Sequence, residues 1–302
     1  MIVWNGLGQA QVPRAGTVVT IGNFDGVHRG HAEVLRRVVS LARLDGRMAA
    51  ALTFNPHPAQ VHRPETAPPL ITGFDSKLAL LEATGLDAVL VEPYTLDFAA
   101  QTAEEFVVKY LVGGLRARSV VVGHDVRFGA RNSGHLATMV SLGEQHGFEV
   151  VAISDVGHMA RTADGADYAR WSSSAVRDWL TVGDVGEAAN ILGRPHQVTG
   201  VVVHGDHRGR QLGFPTANLG RVEGMIPADG VYAGWLILND GDDAGRRQPA
   251  AISIGTNPTF DGARDRRVEA FVIDRDDAAW DDFDIYDRPV TVEFTHMLRP
   301  TV

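Results

Sequence analysis

The 302-residue sequence contains no cysteine, which excludes disulfides, thiolate metal sites and cysteine nucleophiles together. Any metal must therefore be held by oxygen or imidazole. Long apolar runs are also missing. No stretch approaches the roughly 20 residues that span a bilayer, and MIVWNGLGQAQVPRAG has neither the basic start nor the apolar core of a signal peptide. The expected location is cytoplasmic, with no membrane partner. Basic residues are in the minority, 28 Lys and Arg against 37 Asp and Glu, and the net charge of -9 argues against a protein that coats nucleic acid. Small phosphate-bearing molecules remain open, because they need only a local cluster of donors. An apolar fraction of 44% with 22% charged residues is ordinary for a globular enzyme, and the length favours two domains.

What is present has two textures. From about residue 17 to residue 186, apolar runs alternate with helix-like stretches: Val18 to Ile21, Ala49 to Phe54, Ala88 to Val91 and Ser119 to Val122 read as buried strands, and residues 29–44 carry apolar side chains at helical spacing. Such alternation predicts a parallel sheet with helices on its faces. After Leu192-Gly193-Arg194-Pro195 the runs are short, β-rich and separated by Gly, Pro, Asn and Asp. Val198 to Val203, Val231 to Leu238, Ala250 to Ile254, Val268 to Ile273 and Val290 to Phe294 predict a small barrel. The boundary is placed near residue 186, within or just after a helical stretch from Ala175 to Leu192, giving domains 1–186 and 187–302.

The segment Gly22-Asn23-Phe24-Asp25-Gly26-Val27-His28-Arg29-Gly30-His31 follows the first strand and opens the first helix. Unsatisfied N–H groups and the helix dipole make such a turn an anion site. Gly22, Gly26 and Gly30 allow the backbone close to a polyphosphate, and His28 and His31, three apart, can face one side and donate to its oxygens. A bare pair of histidines three apart is more often a solvated or capping pair, and a zinc site lacks a third ligand at suitable spacing. The Gly-rich strand-to-helix context favours phosphate.

His28-Arg29-Gly30-His31 matches the signature of the HxGH nucleotidyltransferases, and the longer string GNFDGVHRGH resembles the amino-terminal module of the prokaryotic bifunctional riboflavin kinase/FMN adenylyltransferases. Phe54-Asn55-Pro56-His57-Pro58, Gly123-His124-Asp125-Val126-Arg127-Phe128-Gly129 and Ser172-Ser173-Ser174-Ala175-Val176-Arg177 resemble three further elements of that family, with Val126 where phenylalanine and Ser174 where threonine are usual. The resemblance implies a Rossmann-like α/β domain. It also implies an ATP site at Gly22, Asn23, Phe24, Asp25, His28, His31, Asp125, Ser173, Ser174 and Arg177, with His28 and His31 catalytic. FMN is expected at Asn23, Phe54, His57 and Pro58. The FMN phosphate is ionised at neutral pH, so attack on ATP needs charge neutralisation and positioning rather than a general base.

The carboxy-terminal half opens with His204-Gly205-Asp206-His207-Arg208-Gly209-Arg210-Gln211-Leu212-Gly213-Phe214-Pro215-Thr216-Ala217-Asn218. Its glycines suit a phosphate-wrapping loop, although the lysine and hydroxyl spacing of a P-loop is missing. Thr216 and Asn218 are two apart, so in an extended segment their side chains share a side, and their oxygens suit magnesium. GRQLGFPTANL is similar to the riboflavin kinase signature of the same family, and residues 226–232, 254–260 and 267–271 resemble its further elements. The resemblance implies an all-β barrel with Gly205, Arg210, Gly213, Thr216 and Asn218 at ATP and Mg²⁺, and Glu269 as the catalytic acid or base beside a ribityl hydroxyl. Riboflavin, FMN, FAD and ATP are then the small-molecule partners; a homo-oligomer is left open. The family normally continues into a carboxy-terminal helix, whereas this sequence ends at Arg299-Pro300-Thr301-Val302, so either a truncated chain or an altered kinase module is expected. The Asp-rich stretch from Asp274 to Asp284 is read as a solvated hairpin end. Three rivals remain: adenylyl transfer alone, adenylylation of another phosphate or acid, and a flavin-binding protein that consumes no ATP.

Overall fold

Runs of β-branched and small apolar residues become the strands of the amino-terminal half because both sides of each run are covered. The computed structural model describes residues 1–154, 160–161, 167–168, 171–204, 216–258, 264–273 and 285–301. In it, β1 (Ile2–Asn5), β2 (Thr17–Ile21), β3 (Met48–Asn55), β4 (Ala88–Pro93), β5 (Ala117–Gly123) and β6 (Glu149–Ile153) form a parallel sheet in the order β1-β4-β3-β2-β5-β6. The helices of this half are α1 (Arg29–Asp45), α2 (Pro58–His62), α3 (Phe74–Glu82), α4 (Leu96–Ala99), α5 (Ala103–Phe106), which continues into a π-helical stretch over Val107–Gly114, and α6 (Leu136–His146).

Val18, Ala49, Ala51 and Val89 pack with Leu35 and Val38 of α1 and Leu81 of α3 on one face of the sheet. Val19, Ala50, Leu52 and Leu90 pack with Phe106, Leu111 and Met139 on the other. Right-handed crossovers account for this division. Strand order runs one way from β2 to β4 and then reverses to β5 and β6, so the covering helices change face. The reversal opens a crevice at the carboxyl ends of β2 and β5, the usual ligand position in an open α/β sheet.

A short antiparallel pair, β7 (Ala160–Arg161) and β8 (Asp167–Tyr168), precedes α7 (Ser173–Thr181) and α8 (Val185–Leu192). The stretch read as one helical run is thus two helices, broken at residues 182–184. Six antiparallel strands then close a barrel: β9 (His196–Val203), β10 (Thr216–Glu223), β11 (Gly230–Leu238), β12 (Arg247–Pro258), β13 (Arg264–Val272) and β14 (Pro289–Pro300), in the order β10-β13-β12-β11-β14-β9. Alternate residues fill it, as with Val268, Ala270 and Val272 of β13, while Glu269 and Phe271 face outward. Val176 and Leu180 of α7 and Val185, Ala188 and Ile191 of α8 join the same core.

By contacts the chain divides into one unit of Met1–Pro68 with Phe74–His158 and another of Pro69–Gly73 with Met159–Val302. Residue 186 falls inside α8, and both α7 and α8 pack with the barrel. No helix among the described residues is long and apolar enough to cross a membrane.

Two candidate active sites

The first site lies where the sheet topology predicts a ligand. Residues Gly22 to Asp25 follow β2, and His124 and Asp125 follow β5, so the two motifs flank the same crevice. The β2–α1 turn is strained: Phe24 has φ 51° and the β-branched Val27 has φ 38°. Such conformations persist only where the surroundings enforce them, and here both side chains are buried. Gly22 is required by that folding, because a Cβ there would lie 2.9 Å from the Phe24 ring.

His28 is the N-cap of α1. Its Nδ1 accepts from the His31 N–H at 3.4 Å, so in the neutral ring the proton sits on Nε2. The two imidazoles stack with centroids 3.6 Å apart, and Phe24 meets His31 edge-on at 5.3 Å. Burial, and secondarily the neighbouring His28, hold the His31 pKa well below its ordinary value. His31 Nδ1 is buried without a hydrogen-bond partner among the described residues, a deficit of about 1–3 kcal/mol.

Phe54, next to last in β3, forms an aromatic group with Tyr94, at 5.4 Å, and Phe98, at 5.3 Å. Tyr94 also hydrogen-bonds His62 across 3.0 Å. His57 is the N-cap of α2, its Nδ1 accepting from the Ala59 N–H at 3.1 Å, with Pro58 as the first helical residue. A cavity of about 1060 Å³ lies beside this group and shares Phe98, but Glu92, Asp97, Glu104 and Glu105 line it. That charge, only partly offset by Lys109, disfavours a phosphate there.

Ser172, Ser173, Ser174 and Arg177 belong to the other unit. Ser172 caps α7 by accepting from the Ala175 N–H at 3.2 Å, Ser173 and Ser174 begin the helix, and Arg177 Nε donates to the Pro69 carbonyl at 2.8 Å.

The second site is a row across the outside of the barrel. Asn218 on β10 pairs with Glu269 on β13, which pairs in turn with Ser253 on β12, while Thr216 pairs with Phe271. Ala217 and Leu219 point inward, so Thr216 and Asn218 share the outer face as their spacing predicts. The Asn218 amide nitrogen donates to the Thr216 carbonyl at 3.4 Å, which leaves Oδ1 for a cation. Arg266 steadies the nearby turn through Asp229, at 2.7 Å, and the Ile226 and Pro227 carbonyls. Gly205, Arg210, Gly213 and the Asp274–Asp284 stretch lie outside the described residues. Among the described residues, no group of three His, Cys, Asp or Glu side chains could hold a metal alone. A threonine hydroxyl and an amide oxygen beside a carboxylate do suit Mg²⁺ shared with substrate phosphates.

Comparison with known proteins agrees with this geometry unit by unit. The family model for FAD synthetase matches residues 11–163, and that for riboflavin kinase matches residues 192–302. The bifunctional riboflavin kinase/FMN adenylyltransferase of Escherichia coli (strain K12) is 34% identical over 290 residues, covering 96% of this chain and 87% of that protein. Its counterpart from Pseudomonas fluorescens is 35% identical over 294 residues, covering 97% and 88%. The chain belongs to the bifunctional riboflavin kinase/FMN adenylyltransferase family. A solved structure described as the macrolide-efflux protein from Streptococcus pneumoniae superposes with a TM-score of 0.84 at 28% identity, over 100% of this chain and 92% of that one.

Within this member of the family, the fold places groups near the first site that the motifs did not indicate. Tyr94 and Phe98 extend the aromatic surface of Phe54, and Lys77 of α3 is buried against β3. The signal for Lys77 was its position three after Phe74 and four before Leu81, on the core stripe of its helix. For Ser253 the signal was strand pairing with Glu269, which a single sequence does not reveal.

Proposed function

We propose that the chain makes FMN from riboflavin and ATP in its barrel, and FAD from FMN and ATP in its parallel-sheet unit, as a cytoplasmic enzyme acting on small molecules. The observation that carries this reading is one polypeptide holding both a histidine pair at a β2/β5 switch point and an Asn218-Glu269 row on a closed barrel.

In adenylyl transfer, a phosphate oxygen of FMN attacks the α-phosphorus of ATP and pyrophosphate leaves. His28 donates from Nε2, His31 supplies the buried Nδ1 that lacks a partner among the described residues, and the strained Gly22 to Asp25 turn holds the phosphates. Asp125 faces the nucleotide from the β5 side of the crevice. Phe54, with His57, Pro58 and Asn23, takes FMN, and the flat faces of Tyr94 and Phe98 suit its ring system. The assignment of Ser173, Ser174 and Arg177 to ATP rests on sequence resemblance alone, as does that of Gly205, Arg210 and Gly213.

In phosphoryl transfer, a ribityl hydroxyl attacks the γ-phosphorus and ADP leaves. Glu269 accepts the hydroxyl proton, and Thr216 and Asn218 would hold Mg²⁺. The ion supplies neutralisation of phosphate charge. We place the functional boundary near residue 186.

The test is a product assay with riboflavin or FMN, ATP and Mg²⁺. His31→Ala is expected to abolish most FAD formation while sparing FMN formation, and Glu269→Ala the reverse. Equal loss of both products in either variant sinks the two-site reading, and wild-type protein that yields no FMN from riboflavin leaves adenylyl transfer alone.

A further inference from the structure

One buried cation near the first site has no role in the chemistry above. Lys77 is 9% exposed on α3, at a helix position where leucine or methionine would avoid burying a charge. Its Nζ donates to the Phe54 carbonyl at 3.2 Å and approaches Thr53 Oγ1 at 3.5 Å. Thr53 Oγ1 in turn donates to the Asn23 carbonyl at 3.2 Å, so its proton is committed and its lone pairs are left to the ammonium. The contacts therefore run from the end of β3 to the turn after β2. The Asp25 carboxylate of that turn favours the charged form, while burial lowers the lysine pKa more strongly; the Phe74 ring lies 5.4 Å from the ammonium.

We propose that Lys77 is a positioning residue for adenylyl transfer, fixing the Asn23 turn in register with the Phe54 strand end. The inference rests on the assignment of the turn to ATP and of the strand end to FMN. Two substrates that react only when their phosphates are aligned depend on the relative placement of these two backbone segments. Lys77 touches neither substrate, so losing it alters alignment more than occupancy. The deficit therefore falls on kcat rather than on either KM.

The experiment uses the full chain with Lys77→Met, Lys77→Gln and Lys77→Arg. FAD formation from FMN, FMN formation from riboflavin and thermal unfolding are measured on each preparation. Lys77→Met is expected to lose about tenfold to a hundredfold in kcat for FAD formation, with both KM values within about twofold of wild type. Lys77→Arg, which keeps the charge, should recover most of that loss, and riboflavin phosphorylation should be unchanged. Wild-type kcat in Lys77→Met overturns the proposal. So does a loss confined to KM, or a folded Lys77→Arg no faster than Lys77→Met. Should Lys77→Met fail to fold, Lys77→Gln is judged by the same criteria, since it keeps a donor and drops the charge. Failure of the underlying functional reading looks different: wild-type protein itself makes no FAD from FMN.

Discussion

At the first site the position of His31 depends on a side chain that is not there. Gly22 leaves room for the Phe24 ring, which is 2% exposed and meets the His31 ring edge-on. Gly22→Ala places a methyl group 2.9 Å from that ring, so Phe24 moves and displaces His31 with it. Overpacking of this kind costs about 1–3 kcal/mol, and if His31 binds phosphate as proposed, a small displacement of it lowers turnover by about tenfold or more. FAD formation should fall accordingly while FMN formation from riboflavin holds, measured on one preparation. Unchanged FAD formation would show that Phe24 does not set the histidine. His28 and His31 were legible in the sequence because glycines around a strand-to-helix turn make them conspicuous. Lys77 left only the weaker signal of its place on the core stripe of α3, where a lysine still reads as reaching solvent along its stem until its neighbours are known.

At the scale of elements, hydrophobic patterning gave the central strands and α1 but missed β1 and β6 of the sheet and β10 of the barrel. β1 and β6 lie at the edges of the parallel sheet, where burial is partial although the residues are mostly apolar: β1 buries only Trp4, and no residue of β6 is fully buried. The helical stretch before the barrel was visible as well, but its break was not. Gly183 ends α7 with φ 82°, and a Cβ there would lie 2.9 Å from Met297 Sδ and 3.0 Å from Tyr232 Oη. Tyr232 cannot yield easily, since it is fully buried and its hydroxyl donates to the Ala228 carbonyl at 2.6 Å. Gly183→Ala should therefore destabilise the barrel unit by about 1–3 kcal/mol, through backbone strain and overpacking together. Denaturant unfolding followed by the fluorescence of Trp179 and Trp235 would detect this, and a wild-type midpoint would mean the hairpin can relax.

Across the whole molecule, each unit carries a histidine that burial keeps neutral: His31 in the parallel-sheet unit and His196 in the barrel. Burial brings the His196 pKa down to about 4 despite the hydrogen bond of Nε2 to the Met225 carbonyl at 2.7 Å. An unfolded histidine titrates near 6.5, so between that pH and about 4 the unfolded chain binds a proton that the folded barrel refuses. Folded stability is therefore complete above the unfolded value and declines as the pH falls through this window. For His196 alone the decline is about 2 kcal/mol by pH 5 and about 3 kcal/mol by pH 4. His31 adds a loss of the same sign to the other unit, and a phosphate ligand that favours its charged form would oppose it. His196→Gln keeps a donor to Met225 but cannot titrate. Its barrel transition in urea should therefore lose less stability than wild type between pH 7 and pH 5, even if the variant starts lower at pH 7. Parallel losses in the two proteins would assign the acid sensitivity of the barrel between pH 7 and pH 5 to groups other than His196.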